Sequence, residues 1–110
     1  MADLDPQPPA PVTFDVLRHD GEQSTVLRIG GELDLSNVTA VEQAVDAAIT
    51  DNPDRLVIEA GGLTFADSSA IALFVGWASV VDELEIRDPP GLLRAVIESM
   101  GLAQTLHMTP

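Results

Sequence analysis

The segment from Val38 to Ile49 places Val38, Val41, Val45, Ala48 and Ile49 on one helical stripe. Short runs of β type stand on both sides of it. Upstream, Val12, Phe14 and Val16 alternate with Thr13, Asp15 and Leu17, and Thr25-Val26-Leu27-Arg28-Ile29 follows. Asp20-Gly21 between them marks a turn, so the pair is predicted as an antiparallel hairpin. Downstream, Arg55-Leu56-Val57-Ile58-Glu59 is nearly continuous in apolar residues, the pattern of a parallel strand buried on both faces. A chain in which strand and helix periods alternate this way must fold as an α/β sandwich.

The rest of the chain continues the alternation. Ser36 or Asn37 is placed to cap the first helix, and Asn52-Pro53 ends it, because the residue before a proline avoids the helical region. Gly30-Gly31 is predicted to bend the backbone or let it pass close to another element. Ala60 to Ala66 reads as a loop, and a second helix runs from Ser69 to about Val80. Leu84 to Arg87 is a strand, Leu92 to Met100 a third helix, and Gly101 its C-cap. Leu102 to Met108 supplies a short final helix or strand. The expected order is therefore β-β-α-β-α-β-α in a mixed sheet. Residues 1–11, with Pro6, Pro8, Pro9 and Pro11, read as a disordered acidic tail ahead of a single domain at 12–110.

Composition narrows the function. Of 110 residues, 18 are acidic and 5 basic, a net charge of -13. With 45% hydrophobic residues a core is still affordable, so the charge does not imply disorder. Such a surface repels phosphates, which argues against nucleic acid and anionic membranes as partners. It also suits electrostatic steering toward a basic partner. No apolar stretch is long enough to span a bilayer, and the acidic, proline-rich start lacks the features of a secretory signal, so a cytoplasmic location is expected. There is no cysteine, hence no disulfide and no thiolate ligand or nucleophile. His19 and His107 stand alone, the carboxylates are scattered, and the Gly-Gly pairs do not form a nucleotide loop. No enzyme, metal or cofactor is expected.

The informative junction is Leu63-Thr64-Phe65-Ala66-Asp67-Ser68-Ser69. A helix N-terminus has unpaired N–H groups and favours an anion, including a phosphate on serine. The residues alone leave two roles open: Asp67 or Ser68 as helix cap, and Ser69 as phosphoacceptor. Asp34, beside Gly30-Gly31, is a turn aspartate, an early cap or a binding residue. Trp77, mid-helix, reads as a packing or interface residue.

Three segments together resemble a known family. Gly31-Glu32-Leu33-Asp34 is similar to the G-E-L/I-D segment of STAS domains. Leu63 to Ile71 resembles that family's L-x-F-x-D-S-S/T-G-L signature, with Ala70 in place of the glycine. The late helix ending at Gly101-Leu102 also matches. The resemblance implies a STAS-like sandwich, with a mixed, mostly parallel-core sheet and helices packed on it. Among stand-alone members it points to the anti-sigma factor antagonists. These bind an anti-sigma factor that is commonly a serine kinase, are released by phosphorylation, and are restored by a serine phosphatase. By that resemblance the phosphoacceptor is Ser69, with Ser68 the second choice. Asp34, Asp67, Ser68, Ser69 and Ala70 then form the partner-binding surface. The competing implication is a STAS accessory subunit of a lipid-transport ABC complex.

Overall fold

A computed structural model describes residues 11–19, 24–49 and 55–110. The turn expected at Asp20-Gly21, the helix stop at Asn52-Pro53 and nearly all of the expected tail lie outside the described residues. Five strands form one sheet in the order β1-β2-β3-β4-β5: β1 (Thr13–His19), β2 (Ser24–Leu33), β3 (Arg55–Ala66), β4 (Glu83–Arg87) and β5 (His107–Thr109). β1 pairs antiparallel with β2, and the remaining three pairings are parallel. The crossovers are α1 (Val38–Ile49), α2 (Ser68–Ala78) and α3 (Gly91–Ser99). Because the strands are laid down in spatial order, three crossovers of the same hand put all three helices on one face.

The core lies between that face and the helices. Leu27, Leu33, Leu56, Ile58 and Ile86 from the sheet meet Val41 and Val45 of α1, Phe74 of α2 and Ile97 of α3, all fully buried. The α1 stripe predicts its start at Val38 and its helical run to Ile49, and its buried residues are Val41, Val45 and Ile49. Trp77 is buried, stacks on Phe74 with ring centroids 6.0 Å apart, and donates its indole N–H to Asp46 Oδ1 at 3.0 Å. That bond ties α2 to α1.

Leu56, Val57 and Ile58 are all buried, so the centre of β3 is buried on both faces as its apolar run predicts, although among the described residues no helix covers the other face of the sheet. Val57 is buried there, yet Arg55 and Glu59 beside it are only half-buried. Arg28 Nε donates to Glu59 Oε1 at 3.0 Å, and Arg87 Nε to Glu85 Oε2 at 2.8 Å. Arg55 also pairs with Glu85, and Thr109 Oγ1 donates to the same carboxylate at 3.0 Å. These donors, Arg87 first, hold the Glu85 carboxyl below its usual range. Long charged side chains laid along the strands thus shield a face that a parallel sheet would otherwise bury.

The expected loop at Ala60–Ala66 is strand. β3 continues to Ala66 alongside β2, with Gly30 opposite Gly62, Glu32 opposite Phe65 and Leu33 opposite Ala66. The register shifts twice on the way, between Arg28 and Gly30 and between Gly31 and Glu32. Glycines allow this. Gly31 has φ +85°, and a Cβ there would lie 2.2 Å from Pro11 O. A Cβ on Gly62 would lie 3.2 Å from Gly30 Cα. The pair therefore marks an irregular, closely approached stretch inside the ladder and not its end.

At the C-terminus, β5 supplies the strand alternative for the last segment and extends the expected element order by one. Gly101 has φ +73°, and Leu102 N–H reaches back to Ile97 O at 3.0 Å, closing α3 as a Schellman turn.

Candidate functional site

Parallel strands deliver their carboxyl ends to one edge of the sheet, the usual place for binding residues in such folds. β2 and β3 end side by side at Leu33 and Ala66, so Asp34 and Asp67 emerge next to each other. Asp67 N–H donates to Leu33 O at 3.3 Å, which continues the ladder one step into the site.

Asp67 is the N-cap of α2, with extended φ -99° and ψ -172°. Its Oδ1 accepts from Ser69 N–H at 2.9 Å, from Ala70 N–H at 3.3 Å and from the Ser69 hydroxyl. Its Oδ2 accepts from Leu35 N–H, at 3.2 Å, in the turn that follows β2. One carboxylate therefore holds both the start of α2 and the neighbouring turn. The Ser69 hydroxyl is the leading cause that keeps the Asp67 carboxyl below its ordinary value, and the backbone N–H groups of Ala70, Leu35 and Ser69 add to it against partial desolvation.

Asp34 organises the other half. Its Oδ1 accepts from Ser36 N–H at 2.9 Å and from the Ser36 hydroxyl, an aspartate turn. Its own N–H donates to Asn37 Oδ1 at 3.0 Å, and Asn37 Nδ2 donates to Glu32 O at 2.8 Å. This corrects the expected capping by Ser36 or Asn37: their side chains bond backward to the turn and to β2, not forward into α1.

The two serines differ. Ser68 is exposed, and its hydroxyl makes no hydrogen bond among the described residues. Ser69 is half-buried, with its hydroxyl committed to Asp67. Ala70 is fully buried in the core, so it offers no side-chain surface to a partner, and its expected place on a binding surface is not kept.

Sequence reasoning missed the apolar residues around this edge. Leu35 is 77% exposed, Phe65 46% and Leu92 76%. Phe65 and Leu92 line a groove of about 120 Å³ between the end of β3 and α3. The signal for Phe65 was its place in the signature; Leu92 gave none, since it sits at a helix start beside a buried neighbour. Among the described residues no group of three or more His, Asp or Glu side chains converges to hold a metal ion, and no helix is long and apolar enough to cross a membrane.

Fold and site together define an α/β domain with a serine-bearing helix N-terminus at the sheet edge. A family model described as Mlab, STAS domain matches residues 17–110, and the chain belongs to the STAS domain family. It is 29% identical over 103 residues to the anti-sigma-F factor antagonist RsfB of Mycobacterium tuberculosis, covering 91% of this chain and 83% of RsfB. The crystal structure of an anti-sigma factor antagonist from Mycobacterium paratuberculosis superposes with a TM-score of 0.80 at 26% identity, covering 91% of this chain and 86% of that one. The anti-sigma factor antagonist SpoIIAA shares the fold in its unphosphorylated form, with TM-score 0.73, 22% identity and 89% of each chain covered. The phosphorylated form of Bacillus SpoIIAA gives 0.71 at 21% identity, covering 89% of this chain and 92% of that one.

Proposed function

We propose that this chain is an anti-sigma factor antagonist: it binds an anti-sigma factor, frees a sigma factor, and is released when a serine at the start of α2 is phosphorylated. The observation that carries this reading is likeness to proteins named as such antagonists over 91% of the chain, with the Asp67-Ser68-Ser69 cap intact. The same likeness favours it over an ABC-transporter subunit. The partner surface comprises Asp34, Asp67, Ser68 and Ser69, and the partner is also the serine kinase, with a phosphatase to reset the switch.

The resemblance ranks Ser69 first; on the exposures of the two hydroxyls we propose Ser68 as the acceptor instead. Modifying Ser69 would remove the proton that Asp67 accepts and set a phosphate against the carboxylate that holds the cap. Modifying Ser68 leaves every bond of Asp67 in place. It puts the phosphate at a helix N-terminus, where N–H groups and the helix dipole favour an anion. The phosphate adds roughly two negative charges and its bulk to a contact fitted to a bare hydroxyl. A contact closed on a bare hydroxyl has no room for that group, so the partner lets go even where basic side chains lie elsewhere on it. The fold need not change; SpoIIAA keeps it in both forms.

The test is incubation with ATP and each anti-sigma kinase of the organism, followed by mass spectrometry. One phosphate on Ser68 is expected, lost in Ser68→Ala and retained in Ser69→Ala. Phosphate on Ser69 alone restores the original order, and none at either serine contradicts the switch.

A further inference from the structure

We infer that the groove between β3 and α3 is the apolar anchor of the partner contact, and that its occupant is a basic segment of the anti-sigma factor carrying one bulky aliphatic side chain. This rests on the antagonist reading above and adds where and by what chemistry the partner is held.

Four observations converge on it. The groove is largely apolar: Leu63, Phe65, Pro90, Leu92 and Val96 are among its lining, and Thr64 is its polar member. At about 120 Å³ it admits a single side chain and falls below the ~300 Å³ at which small-molecule sites begin. Two of its walls, Phe65 at 46% and Leu92 at 76%, are large apolar side chains left exposed, which marks an interaction surface when they cluster. Finally, the groove is continuous with the serine site: Ala66 lines it, and Asp67 and Ser68 follow directly.

Charge selects the occupant. Glu32 stands opposite Phe65 in the ladder, and Asp34 and Asp67 edge the same end of the sheet. The basic residue of α3 is turned away. On an ideal helix Leu92 and Val96 lie about 40° apart, and Arg94 lies about 160° from both. An apolar slot at the acidic end of the sheet fits a partner segment whose aliphatic side chain is flanked by Lys or Arg. A second copy of this chain, with net charge -13, would meet its own acidic edge.

The experiment measures binding of the organism's purified anti-sigma factors, one at a time, to the full chain and to three variants. Phe65→Ala and Leu92→Asp alter exposed walls of the groove. Val80→Asp is the control, since Val80 is 55% exposed beyond the far end of α2, a helix of 11 residues and so roughly 16 Å long. Circular dichroism confirms that each folds. At least tenfold weaker binding for both groove variants, with Val80→Asp unchanged, supports the anchor. A photo-crosslinker at Leu92 should then map to a Lys- or Arg-flanked aliphatic residue of the partner. Groove variants that bind like the parent overturn the anchor and leave the antagonist reading standing, as does an equal loss in Val80→Asp or a crosslink to an acidic segment. If the parent chain binds none of the anti-sigma factors, both readings fall.

Discussion

Asp67 Oδ1 accepts the hydroxyl and N–H of Ser69, while Oδ2 accepts Leu35 N–H from the adjoining turn. The residues that made the Asp-Ser-Ser signature legible are thus cap and clamp together. The sequence reads Ser69 as the outward serine, whereas Ser68 is the more exposed of the two, because exposure depends on where the cap bonds fall. The folded pKa of Asp67 is lowered, so its contribution to stability is fully present above the unfolded value near 3.9 and is lost as pH falls through the folded value. Asp67→Ala should therefore cost about 1 kcal/mol at pH 7 in denaturant titrations. The difference from the parent should shrink below about pH 4. A gap that stays constant through the acid range would show that the carboxylate does not act through its charge.

At the scale of elements, periodic segments were readable and irregular ones were not. The start of α1 and its buried stripe were readable because an apolar period is a local property. The second half of β3 was not, since two glycines normally punctuate a chain, and only pairing with β2 shows that they keep the ladder together. The groove was equally hidden, because Phe65 and Leu92 meet only after β3 and α3 pack. The same residue type has opposite roles in two elements. Gly31, in β2, has positive φ and no room for a Cβ, whereas Gly76, in α2, has nothing within 4 Å of where a Cβ would be. Gly31→Ala should lose about 1–3 kcal/mol. Gly76→Ala should gain about 0.5–1 kcal/mol through helix propensity. Thermal melts of the two variants that shift in the same direction would contradict this account of β2 and α2.

For the whole molecule, the net charge of -13 is unevenly placed. Of the five basic residues, Arg28, Arg55 and Arg87 are committed to the sheet face away from α1, α2 and α3, paired with Glu59 and Glu85. The carboxyl edge, with Glu32, Asp34 and Asp67, keeps its acidity beside an apolar groove and an exposed serine. Composition suggests only a basic partner; the fold gathers Glu32, Asp34 and Asp67 at the edge proposed to meet it. That edge works as a switch only if modification of one hydroxyl decides binding. The most direct measurement is a titration of the cognate anti-sigma factor with the unmodified chain and with the chain phosphorylated at Ser68. Tight binding of the first and at least tenfold weaker binding of the second is the expected result. Equal affinity for the two forms would contradict it.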